Sequence, residues 1–148
     1  MEKNTIDNLN IALTKILDLR EAYNELSNTS HKELSEKLKE FAENAKSEAE
    51  NLTKSISDFG GEVETSERHT DQNAISWVSR PLPNADDVDE VVEFLIKGEK
   101  RREEELNEKF SGKDTEREVK NLFMKYKEQN ESNLVYLQSV KDSLEKAN

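Results

Sequence analysis

Apolar residues return every three or four positions along four separate stretches of this chain, and each stripe turns polar near its middle. Leu9, Ala12, Ile16, Leu19, Tyr23 and Leu26 form the first seam, which predicts a helix over residues 5–26. Leu34, Leu38, Phe41, Ala45, Ala49, Leu52, Ile56 and Phe59 predict a second over 31–59. Val88, Val91, Val92, Leu95, Leu106 and Phe110 predict a third over 85–110. The last stripe runs from Val119 through Phe123, Tyr126 and Leu137 to Leu144 and predicts 115–145. The interruptions fall at Arg20, at Asn44 and Glu48, at Glu99 and Arg102, and from Gln129 to Asn133. Packed together, four such helices would bring these residues to one layer at the waist, where bundles build metal and cofactor sites from facing helices.

Local signals place the ends. Asn28-Thr29-Ser30 makes a short turn, and Ser30 with Glu33 has the spacing of a capping box. So short a connection predicts an antiparallel pair. Gly60-Gly61 closes the second helix, Asn84 is the expected N-cap of the third with Asp86 and Asp87 in its first turn, and Gly112 stops it. Thr115 and Glu118 form the capping box expected for the fourth. Residues 62–83 are a polar connection that holds His69, the sole tryptophan, Trp77, and Pro81-Leu82-Pro83. Ala74, Ile75 and Val78 suggest a turn or two of helix there, laying Trp77 on an end of the bundle. A long crossover between the second and third helices is the ferritin-like pattern.

Composition narrows the function classes. The 148 residues suit one domain, 1–148, and with only 4 Gly and 2 Pro little interrupts the helices. The formal charge of −11 sets repulsion against nucleic acid and anionic lipid, so neither is an expected partner. Cysteine is absent, which removes disulfides and thiolate chemistry. No apolar run reaches the roughly 20 residues of a membrane span. Met1-Glu2-Lys3-Asn4 does not read as a secretory leader, and the expected location is the cytoplasm.

A set of short features, in order, adds a family. Glu21-Ala22-Tyr23, Phe41-Ala42 through Glu48 to Leu52, Gly60-Gly61, the His69 to Trp77 segment and Gly98-Glu99 together resemble an uncharacterised bacterial family of ferritin-like four-helix-bundle proteins, known as a domain of unknown function. The resemblance implies an all-α ferritin-like bundle with a crossover between helices 2 and 3. It also implies a carboxylate and a histidine in helix 2, where this chain has Asn44 and Glu48, and a histidine late in helix 4, where it has none. Di-iron bundles use one Glu from each of two helices and Glu-x-x-His from the other two, and neither His31 nor His69 has a Glu three residues before it.

Two readings of the layer follow. Glu21, Glu48, Glu99 and Glu131 are the candidate ligands if the waist holds iron or manganese. The leading reading has no cofactor: Arg20 and Arg102 supply the positive charge, and Arg20, Asn44, Glu48, Glu99, Arg102, Tyr126, Asn130 and Asn133 form a buried polar network, a degenerate metal site. Arginine suits that task because its planar fork pairs carboxylates in two directions. No nucleophile–base pair is visible. The expected function is that of a non-enzymatic bundle acting through a protein partner or a homo-oligomer, with a metal-binding or oxidase-like protein as the alternative. A small-molecule site at the Ala42, Ala45, Ala49 waist is a third reading.

Overall fold

The computed structural model describes residues 3–64, 76–110 and 116–147. Over these residues the chain is all-helical, with four helices: α1 (Lys3–Leu26), α2 (Lys32–Asp58), α3 (Val88–Phe110) and α4 (Arg117–Ala147). None is long and apolar enough to cross a membrane. The helices pair as two hairpins, α1 with α2 and α3 with α4.

The first hairpin closes as its turn residues require, but with a different cap. Ser30 donates its N–H to Asp86, and His31 occupies the N-cap, its Nδ1 accepting from Leu34 N–H at 3.1 Å. An imidazole nitrogen can accept that bond as a hydroxyl would, so the expected Ser30 box does not form. At the other end of α2, Gly60 has φ +80°, Gly60 N–H bonds Ser57 O and Gly61 N–H bonds Ile56 O. That is a Schellman close. Gly61 then lies against α1 so closely that a Cβ would sit 2.7 Å from Ile6 Cγ2.

α3 begins a turn later than its sequence suggests. Asn84 caps a turn, accepting from Asp86 N–H at 2.9 Å, while Asp87 takes the helix end, accepting from Glu90 N–H on its side chain and Val91 N–H on its carbonyl. Asp89 and Glu90, rather than Asp86 and Asp87, then fill the first turn. Thr115 and Gly112 lie outside the described residues, as do His69, Ala74 and Ile75.

One core cluster runs through all four helices. Tyr23 meets Phe41 edge-on across α1 and α2, Phe110 stacks on Phe123 across α3 and α4, and Phe41 meets Tyr136 across α2 and α4. Residues 76–80 lie over the seam of α1 and α3. Ser76 donates to Asp18, Arg80 bonds Asp18 at 2.8 Å, and Arg101 reaches Trp77 O at 3.2 Å. Gly98 makes this approach possible, since a Cβ there would stand 2.8 Å from Val78 Cγ1 and 3.3 Å from Trp77 O. Trp77 is therefore buried against the middle of the bundle, not laid on an end as its connection suggested.

Candidate functional site: a buried ion cluster at the waist

On α2, α3 and α4 some of the polar interruptions put their side chains where the helical period would otherwise place a core residue. On α3 that period carries Glu99 and Arg102, three residues apart, into the interior, at 0% and 2% exposure. Glu48 arrives from α2, buried, and faces Arg102 across a small space that Ala12, Ile16 and Leu52 help to line. Arg102 Nη2 bonds Glu48 Oε2 at 2.5 Å, and its Nη1 lies 3.4 Å from Glu99 Oε2 and 3.5 Å from Oε1. The guanidinium is thus the shared cation of two carboxylates from two helices.

The other two helices saturate Glu99. Tyr23 of α1 donates its hydroxyl to Oε1. Asn130 of α4 donates to Oε2 at 2.6 Å and to the Glu99 carbonyl at 2.8 Å, and Asn133 donates to Oε1 at 3.1 Å. Gln129 supports Asn133 at 2.8 Å. Tyr126 donates to the Glu48 carbonyl at 3.1 Å. Above the cluster the Trp77 ring lies 5.6 Å from the Arg102 guanidinium carbon, and its indole N–H donates to Glu105 at 2.7 Å.

Charge and burial set the electrostatics. Two carboxylates face one guanidinium, so with all three ionised the cluster carries one excess negative charge away from water. Burial pushes the Glu48 carboxyl up to about 7, although Arg102 pulls it the other way. Burial alone would lower Arg102, but Glu48 and Glu99 hold it above its ordinary value, so it stays charged. Burial, then Glu99, raises Tyr23, and burial, then Glu48, raises Tyr126; both remain neutral donors. A cavity of about 10 Å³ lies among Glu48, Trp77, Arg102 and Tyr126, roughly the room one water needs. Arg102 Nε and Asn130 Oδ1 are buried with no partner among the described residues.

Of the residues read as a layer, the structure brings together Glu48, Glu99, Arg102, Tyr126, Asn130 and Asn133. It leaves out two. Arg20 is half-buried in a groove between α1 and α2, because it flanks the α1 seam rather than standing in it. Asn44 is half-buried and has no hydrogen bond among the described residues. Two of the four candidate ligands, Glu21 and Glu131, are exposed. Among the described residues no group of three or more Asp, Glu or His is placed to hold a metal. The donor set also does not suit a di-metal centre, because a guanidinium stands between Glu48 and Glu99, the two buried carboxylates among the described residues. Tyr23 and Trp77 belong to the site although the layer pattern omits them. Tyr23 had a signal, being one helical turn beyond the Arg20 interruption on the buried seam; Trp77 had none in the periodicity.

No protein-family model, curated protein or solved structure matches this chain.

Proposed function

We propose that this chain is a ferritin-like bundle whose metal position has been given over to a fixed cation, and that it acts without catalysis, through contacts with a protein partner or a second copy of itself in the cytoplasm. The observation that carries this reading is the Arg102 guanidinium between Glu48 and Glu99. In a di-metal bundle, carboxylates from facing helices converge on metal; here the same kind of convergence ends on a side chain. The adjoining cavity holds little more than a water, which leaves a substrate no place beside the carboxylates. The ferritin-like connectivity draws support from contact order. Tyr23 meets Glu99 and Lys15 meets Glu105, and Phe41 meets Tyr136 while Glu48 meets Tyr126, so α1 opposes α3 and α2 opposes α4. With α1 opposing α2 as well, α2 and α3 run the same way, the relation that a crossover between helices 2 and 3 implies.

Elemental analysis of protein purified without chelator from iron- and manganese-supplemented cells tests the reading. Substoichiometric metal, unchanged in Glu48→Gln, is the expected result. Stoichiometric iron, manganese or zinc that is lost in Glu48→Gln and Glu99→Gln would overturn it in favour of the oxidase-like alternative.

A further inference from the structure

Outside the buried cluster, α1 and α2 enclose a groove of about 480 Å³, within the size range of small-molecule sites. Leu17 and Val63 give it exposed apolar surface, and the buried Leu13 and Ala49 lie at its floor. Val63 is held in place. Asn10, 2% exposed, donates from its side-chain amide to the Glu62 carbonyl at 2.9 Å and accepts from Glu64 N–H at 2.7 Å, so both sides of Val63 are tied to α1. Val63 nevertheless keeps 40% of its surface exposed.

The groove has a charged end and an apolar end. α1 and α2 are antiparallel, with Tyr23 on Phe41 near the turn and Ile6 against Gly61 at the far side. Arg20 therefore lies level with Lys46, while Leu13 lies toward Ser57 and Val63. Three cations line the groove, Arg20, Lys46 and Lys54, against one anion, Glu50. Lys54 is bonded to Asp58 at 2.9 Å, but Arg20 and Lys46 have no ion-pair or hydrogen-bond partner among the described residues. On a chain of charge −11, two uncommitted cations at one end of an apolar groove select a small anion with an apolar body.

We infer that this groove binds a free long-chain monocarboxylate, its head on Arg20 and Lys46 and its alkyl tail running past Leu17 and Leu13 to Val63. The site is independent of the waist cluster and of its function. Dodecanoate below its micelle concentration is the probe, read by isothermal titration against the whole chain. One molecule per chain is expected to bind. Arg20→Gln with Lys46→Gln is expected to weaken it by about tenfold, the sum of two partly exposed charge contacts. Dodecanol, with the same tail and no charge, is expected to be weakened similarly on the native protein, and Val63→Asp to abolish binding. Circular dichroism melts of these surface variants should match the native chain. Equal binding of dodecanol and dodecanoate, or of the native and double-variant proteins, would overturn the assignment. So would association with anionic vesicles in the absence of monomer binding, or a native dimer that Val63→Asp dissociates, which would make the groove a self-interface.

Discussion

Glu48 and Glu105 stand on opposite walls of the same bundle, each bonded to a cation at 2.5 Å, yet their carboxyls move in opposite directions. Burial works to raise both. At Glu105 the bonds from Lys15 and Trp77, then the charges of Lys15 and Lys109, outweigh it and the carboxyl ends below its usual range. At Glu48 burial wins and the carboxyl rises to about 7. The difference is one of charge balance more than of distance. Glu105 has two ammonium groups and an indole N–H to itself; Glu48 must share one guanidinium with Glu99 and sits deeper. A short ion pair is thus no guarantee of a stabilised charge, because removing an ion from water costs several kcal/mol that only a full set of partners recovers.

The largest test of this contrast is to remove the shared cation. Arg102→Met should destabilise the chain by about 3–5 kcal/mol at pH 8, where it strands two carboxylates, and by clearly less at pH 5, where Glu48 keeps its proton. Urea melts at both pH values measure it; equal losses would mean that the cluster is not short of positive charge.

Next comes the proton itself. With a folded value near 7 against an ordinary value of 4.5, Glu48 holds its proton in the folded state while the unfolded chain gives it up. Its contribution is therefore full below pH 4.5, falls as pH rises toward 7, and amounts to a loss of about 3 kcal/mol above that. Glu48→Gln should flatten this slope. A variant whose stability falls with pH as steeply as the native chain's would place the titration elsewhere.

Gly98→Val tests the shield above the two sites. Its new side chain meets Val78 and the Trp77 carbonyl, so Trp77 is expected to shift, with a loss of about 1–3 kcal/mol from overpacking and a red-shifted tryptophan emission. Water reaching Arg102 should also shrink the Glu48 slope. Unchanged emission would mean that the segment yields without moving the indole.

The smallest effect is expected at Glu105. Glu105→Gln should cost about 1 kcal/mol, present above the ordinary carboxyl range and vanishing as pH falls through the depressed folded value. Its pH dependence would have the opposite sign to that of Glu48.

The apolar stripes carried most of the helical reading, since a period of three and four admits no other regular structure over some 24 residues. Ends were less legible: Ser30 and His31 can both accept a bond, and the local pattern does not say that His31 takes Leu34 N–H while Ser30 N–H goes to Asp86, 56 positions away. Arg20 and Arg102 both enter the layer pattern, but Arg20 lies beside a seam that continues from Leu19 to Tyr23, whereas Arg102 stands in the gap between Leu95 and Leu106. Reading both as one layer overlooked that difference in register, since a long side chain at a seam's edge can turn outward. Trp77 lay beyond any periodic argument, its seat set by the missing side chain at Gly98.

The four-sided attachment of Glu99 and Arg102 also bears on how the helices choose their alignment. Leucine, isoleucine and alanine seams are non-directional, and sliding one by a turn replaces apolar contacts with others of similar worth. The same slide, 5.4 Å along α3, would carry Arg102 away from Glu48 and Glu99 away from Tyr23, Asn130 and Asn133. Misaligned packings would then leave two anions and a cation dry and unpaired, so the cluster singles out one register from many near-equal ones. Replacing Glu48, Glu99 and Arg102 together by Leu, Leu and Met should keep the chain folded but give several sets of backbone amide resonances; one sharp set would show that the seams alone align the bundle.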